Sequence, residues 1–110
     1  MSKKALPALT HLQYLVLGVL QREEQPGRVL RQALAAYGVR RSGPAFYQLM
    51  ARMERARLVE GWYEQVTVGD QAVTERRYRL TREGARLWTD AHRFYDELAR
   101  VAPRMRWSDA

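Results

Sequence analysis

Arg40-Arg41-Ser42-Gly43-Pro44-Ala45-Phe46-Tyr47-Gln48-Leu49-Met50-Ala51-Arg52-Met53-Glu54-Arg55-Ala56-Arg57-Leu58 is the stretch on which the reading of this chain turns. It predicts a helix with a marked start. Ser42 is a good N-cap, because its hydroxyl can accept from the free backbone amides of the first turn. Pro44 falls inside that turn, where its missing N–H removes no intrahelical bond. Phe46, Leu49, Met50 and Met53 then recur at i, i+3, i+4 and i+7, one face of a helix. The opposite face carries Gln48, Arg52 and Arg55, all long donors. Gly43, Pro44 and Ala45 are small, so this end can come close to another surface. Taken alone, the stretch fits a core helix with a solvated face at least as well as anything else. Its neighbours decide the matter.

Upstream, residues 1–9 form a basic lead-in. Thr10 caps a helix in which Leu12, Leu15, Val16, Val19 and Leu20 recur at helical spacing, with Tyr14 and Leu17 widening the stripe. His11, in its first turn, reads as a surface or capping residue. Pro26-Gly27 is a breaker pair. A second helix follows to Tyr37, with Val29, Leu30, Ala33, Leu34 and Tyr37 on its apolar face. Gly38 suits the position after a helix, where a left-handed conformation is needed. Helix, short connector, helix with a polar outer face is helix-turn-helix order.

Downstream the period changes. Val59 to Val68 is rich in β-branched and aromatic residues, Gly69-Asp70 reads as a turn, and a second strand runs from about Ala72 to Leu80. Tyr78 and Leu80 share one face, with Arg77 and Arg79 on the other. The expectation is a two-stranded hairpin with a basic outer face, packed on the helices because such a hairpin is marginal alone. Thr81 caps a last helix from about Arg82 to Val101, weakened in its first turn by Gly84 and ended by Pro103. Arg104 to Ala110, with Trp107, is a short tail. The helix's apolar stripe of Leu87, Trp88, Ala91, Phe94, Tyr95 and Leu98 is large for a three-helix core. A partner surface is expected, most simply the same helix of a second chain.

The fold class is therefore mainly α (α+β): a winged helix-turn-helix with a two-stranded β-hairpin wing and a long C-terminal helix. Residues 1–80 are expected to form the DNA-binding domain and residues 81–110 the dimerisation helix and tail. At 110 residues with 46% hydrophobic composition, the chain can bury one core. No run of 18 apolar residues suggests a membrane span, and the chain reads as cytoplasmic. The absence of cysteine excludes disulfides and thiolate metal sites.

The formal net charge is +7 and the pI about 10.4, which favours a polyanionic partner. A B-DNA major groove admits one α-helix, and the first residues of that helix usually meet the base edges. Here these are Gly43, Pro44, Ala45, Tyr47, Gln48 and Arg52, with Gln48 suited to adenine and Arg52 to guanine. Ser42 and the amide-rich helix start suit a phosphate, and Arg40 and Arg41 lie just before them. Arg76, Arg77 and Arg79 of the wing are expected on the adjacent backbone or minor groove, where phosphate contacts supply affinity rather than sequence choice. The alternative reading is a winged-helix protein–protein module whose same helix face meets an acidic protein. Enzymatic readings lack support: there is no glycine-rich phosphate loop, and Glu54 and Glu83 are isolated acids. Glu54 reads as a structural partner for an arginine such as Arg57 or Arg77. No metal and no cofactor are expected.

At this point three motifs carry a resemblance. Leu9 to Leu20 is similar to the opening helix of the PadR family of bacterial transcriptional regulators. Ser42, Tyr47, Arg52 and Glu54, with Phe46, Met50 and Met53 at the apolar positions, match its recognition-helix pattern. Arg76, Tyr78, Leu80, Thr81 and Gly84 match its wing pattern. The match covers about residues 9 to 88, and the chain resembles the short type with a single C-terminal helix. The resemblance implies a homodimer, joined mainly through the last helix with a contribution from Leu12 of the first. It also implies an inverted-repeat operator, usually a repressor role, and in some relatives an aromatic effector between subunits, which Trp88, Phe94 and Tyr95 would line. A packed interface is the simpler use of those three, and His92 beside them reads as a solvated histidine rather than a proton switch. Two positions depart from the pattern. Arg57 stands where the family has glycine, which suggests a different exit or a slightly longer helix. Pro26-Gly27-Arg28-Val29 replaces the usual opening of the second helix.

Overall fold

A computed structural model of the chain describes residues 6–101. The sequence-stretches Met1–Lys4, Pro103 and the tail with Trp107 lie outside the described residues. The order of elements is α1 (His11–Val19), β1 (Gln25–Pro26), α2 (Gly27–Ala36), α3 (Gly43–Arg55), β2 (Val59–Val68), β3 (Gln71–Leu80) and α4 (Arg82–Val101). The winged helix-turn-helix order is present, with one addition. β1 pairs antiparallel with β3 at Gln25↔Tyr78 and Pro26↔Arg77, so the sheet has three strands in the order β1-β3-β2. Two residues, one of them proline, carry no period-2 signal, and an edge strand is where a sheet tolerates proline.

Helix starts follow the local chemistry. Thr10 and Gln13 form a reciprocal capping box, each side chain bonding the other's backbone N–H. The Ser42 hydroxyl accepts from the Ala45 amide at 3.2 Å, with Pro44 in the first turn. Both α2 and α3 end in the same motif. After α2, Gly38 (φ 83) donates to the Ala35 carbonyl and Val39 to the Leu34 carbonyl. After α3, Arg57 (φ 61) donates to the Glu54 carbonyl and Leu58 to the Met53 carbonyl. This is the Schellman pattern, whose hinge residue sits in the left-handed region. The expected lengthening of the helix at Arg57 is thus corrected: α3 stops at Arg55, and arginine adopts the conformation that glycine holds at low cost. Arg57→Gly should therefore stabilise the fold by on the order of 1 kcal/mol, read as a raised urea midpoint at unchanged m-value. A lowered midpoint would show that the Arg57 side chain contributes more than its backbone costs.

The wing follows its alternation closely. Ten cross-strand pairs run from Val59↔Leu80 to Val68↔Gln71. The two-residue loop has positive φ only at Gly69 (φ 63), the type II′ arrangement that matches strand twist.

The core lies under the three N-terminal helices and the root of the wing. Val16 and Leu17 of α1, Leu30 of α2, Phe46, Met50 and Met53 of α3, Val59, Tyr78 and Ala91 are all buried. Two details correct the periodicity reading. Leu17 lies at the centre of the α1 contact, whereas Leu12 and Leu15 are only half-buried. Tyr37 caps the end of α2 and is 73% exposed rather than on its apolar face.

Gly84 also has a tighter role than a weak helix former. It is buried, and a Cβ there would overlap the carbonyl oxygen of Leu58. The Thr81 hydroxyl closes the same junction, donating to the Arg57 carbonyl at 2.6 Å and accepting from the Gly84 amide at 2.9 Å. α4 thus begins in backbone contact with the exit of α3. Gly84→Ala should cost about 1–3 kcal/mol through overpacking, despite alanine's better helix propensity. Chemical denaturation checks this, and a stabilised variant would contradict the close approach.

Candidate nucleic-acid interface

α3 is anchored by Phe46, Leu49, Met50 and Met53, all buried. That burial fixes which residues face out. Arg40, Arg41, Ser42, Pro44, Tyr47, Gln48 and Arg52 are exposed, while Gly43 and Ala45 are half-buried. Gln48 and Arg52, four residues apart, share one exposed face. Tyr47 is 42% exposed and also packs within the chain. Its ring packs edge-on to Phe46 at 5.1 Å, and its hydroxyl would lie 3.0 Å from a Cβ at Gly27. It therefore leans across the start of α2 and lines a hollow of about 550 Å³ between α3 and the wing, together with Arg28, Glu54, Tyr63, Arg76 and Tyr78.

Arg31 on α2 joins this surface and was not among the expected contacts. Its guanidinium donates to the Arg41 carbonyl at 3.1 Å. Only the apolar face of α2 was informative in sequence. Which polar residue of that helix sits beside Arg41 depends on how the two helices are placed.

The wing departs most from expectation. Register puts Gly61, Tyr63, Arg76 and Tyr78 on the face toward α3, and Glu60, Trp62, Glu64, Glu75, Arg77 and Arg79 on the other. Arg76 donates to Glu54 at 2.6 Å and lies 4.7 Å from the Tyr63 ring centroid. Glu54's partner is thus Arg76, not Arg57 or Arg77. Burial works against the Arg76 charge, but Glu54 together with Tyr78 and Tyr63 outweighs it, so the guanidinium pKa lies above its ordinary value. Burial pushes the Tyr78 phenol up to about 12, against the pull of Arg76. A Cβ at Gly61 would overlap Glu54 and press on Arg76 and Tyr78.

The outer wing face is not basic. Arg77, 18% exposed at its side chain, donates to Glu75 at 2.8 Å, with its buried Nε 3.3 Å from Glu64 and 3.5 Å from Glu24. Arg79 pairs with Glu60 at 2.8 Å, and Arg28 lies 3.5 Å from Glu75. Residues 59–80 carry three arginines and four acids, whereas residues 25–58 carry seven arginines and one acid, Glu54. The positive charge therefore sits on the helix-turn-helix and not on the wing.

The stripe of α4 is largely used within the chain. Ala91 is buried, and Leu87, Trp88, Phe94 and Tyr95 are half-buried. Trp88 stacks on Tyr14 of α1 (5.5 Å, 11°) and on His92 (5.0 Å, 5°), and Tyr95 packs on Tyr14 at 5.3 Å. The Trp88 indole nitrogen is buried without a hydrogen-bond partner, against Gly18. α1 thus covers part of a stripe expected to be large for the core, through Trp88 and Tyr95. His92 is exposed, as expected, and its Nδ1 lies 3.1 Å from the Tyr14 hydroxyl. Leu98 and Val101, beyond α1, remain 45% and 47% exposed. Among the described residues no cluster of acids or histidines could hold a metal ion, and no helix is long and apolar enough to cross a membrane.

A capped third helix with an exposed polar face, flanked by a two-stranded wing, defines a winged helix-turn-helix. Among solved structures the fold is PadR-like. It is similar to a PadR family transcription regulator from Clostridium difficile at 16% identity, covering 86% of this chain and 97% of that one, with a TM-score of 0.72. A PadR family transcriptional regulator from Eggerthella lenta is 29% identical over 84% of this chain and 79% of that one, with a TM-score of 0.62. Bacillus subtilis PadR in complex with operator DNA matches 78% of this chain and 47% of that one, at 16% identity and a TM-score of 0.57. The sequence itself matches no family model and no curated protein.

Proposed function

We propose that this protein is a non-enzymatic, sequence-specific DNA-binding transcriptional regulator, acting as a homodimeric repressor on an inverted-repeat operator. The exposed, capped start of α3 carries this reading. Its buried face holds the helix rigid, and its outer side runs from the exposed Pro44, between half-buried Gly43 and Ala45, to Gln48 and Arg52. The resemblance to a PadR protein solved with operator DNA supports the partner. The exposed Leu98 and Val101 at the end of α4 support a second chain as a further cover. With the α4 aromatics packed against α1, an aromatic effector would have to enter at an interface formed with that second chain.

Selection of bound sequences from a random DNA pool tests the reading. A palindrome with half-sites about one helical turn apart is the expected outcome. Failure to bind any duplex at low salt would instead favour a module that meets an acidic protein. Sedimentation at micromolar concentration tests the dimer separately.

A further inference from the structure

We propose that the corner between α2 and α3 is where this chain grips the DNA backbone, with Arg31, Arg40 and Arg41 neutralising phosphates and the wing contributing little net charge to binding. The inference rests on the DNA-binding reading and adds which cations do the work. A hollow of about 350 Å³ opens at this corner, lined by Arg28, Arg31, Arg40 and Arg41 and by no carboxylate. Unlike the wing arginines, Arg31, Arg40 and Arg41 form no ion pair with another described residue. Arg31 is held in place by its bond to the Arg41 carbonyl, which orients a guanidinium beside the entry to α3. Its other terminal nitrogen would lie 3.7 Å from a Cβ at Gly43, the first helical residue of α3. Three exposed arginines, without acids among the described residues, thus sit next to the turn that would meet base edges. Such a cluster has the chemistry of a phosphodiester site, because each planar fork can donate two parallel hydrogen bonds to phosphate oxygens.

The opposite holds at the wing. Arg76 and Arg77 are each in close contact with carboxylates, and Arg79 is matched by Glu60. For any of them to neutralise a phosphate it would first have to leave an acid, whose charge would then face the DNA.

The test is the salt dependence of binding to a random-sequence duplex, followed by anisotropy on the full chain. Each phosphate contact contributes about 0.9 to the slope of log K against log salt. Arg31→Ala should lower that slope by about 0.9, and Arg40→Ala/Arg41→Ala by about twice that. Arg79→Ala should leave it nearly unchanged, as should Arg77→Ala if its thermal unfolding remains cooperative. Arg79 is exposed, so its variant keeps the wing arm interpretable should the Arg77 variant misfold. A wild-type slope untouched by the corner substitutions would overturn the assignment while leaving the DNA reading intact, as would a slope flattened equally by Arg79→Ala. A wild-type chain that binds no duplex at low salt would remove both.

Discussion

Phe46→Ala should lower the stability of the fold by about 3–5 kcal/mol. Phe46 is fully buried at the centre of α3's inner face. Its ring supports Tyr47, and one edge would lie 3.5 Å from a Cβ at Gly27, where α2 begins. Truncation removes the transfer free energy of the ring and leaves a cavity shared by α2 and α3, which a helix held at both ends by caps cannot collapse to fill. Against a total stability of about 5–15 kcal/mol for a domain of this kind, that is a large fraction. Urea denaturation would show the midpoint fall, and DNA binding should fall with it because the reading helix loses its seat. Phe46→Leu, which keeps most of the volume, should cost distinctly less. A Phe46→Ala loss below about 1 kcal/mol would mean that α3 is not seated by this ring, since the full cavity cost is several-fold larger.

The second large effect concerns affinity and not stability. Gln48→Ala and Arg52→Ala should each weaken binding to the selected operator by about 1–3 kcal/mol, the range for one good bidentate base contact. Both side chains are exposed, so the unfolding midpoint should stay where it is. Binding to random duplex should change much less for Gln48→Ala, which carries no charge. If both variants keep full specific affinity, base reading lies elsewhere, with the first-turn residues as the nearest candidates.

These predictions rest on different kinds of information. The start of α3 was readable from Ser42 and Pro44, because caps act within one turn of chain. The wing's register was readable from alternation and the Gly69-Asp70 turn, since a two-residue loop leaves little choice of pairing. Arg57 shows the limit of such reading. It breaks the glycine preference, yet the helix ends where it would have with glycine, because Leu58 and Val59 are buried and hold the chain in that path. Gly84 reads locally as a weak point, whereas its role is a close approach to Leu58, a residue 26 positions earlier. Trp88 and Tyr95 read as a surplus stripe until α1 is laid across them.

Read from its residues alone, the chain already specifies the helix-turn-helix order, the helix caps, the hairpin and its turn, and the face of α3 that points outward. All of these follow from periodicity and side chain–backbone bonding over a few residues. Which charges remain available depends on how the elements pack. Net charge suggested a basic wing as readily as a basic helix pair. The packing of β1, β2 and β3 brings Glu24 and Glu64 to Arg77, which already has Glu75 two residues away on its own strand, and the seating of α3 against the wing brings Glu54 to Arg76. Glu24, Glu64 and Glu54 lie on other elements than their arginines, so these pairings are settled by how the elements dock. Here that docking leaves Arg31, Arg40 and Arg41 unmatched by any described acid beside the entry to α3, at the corner of the helix pair.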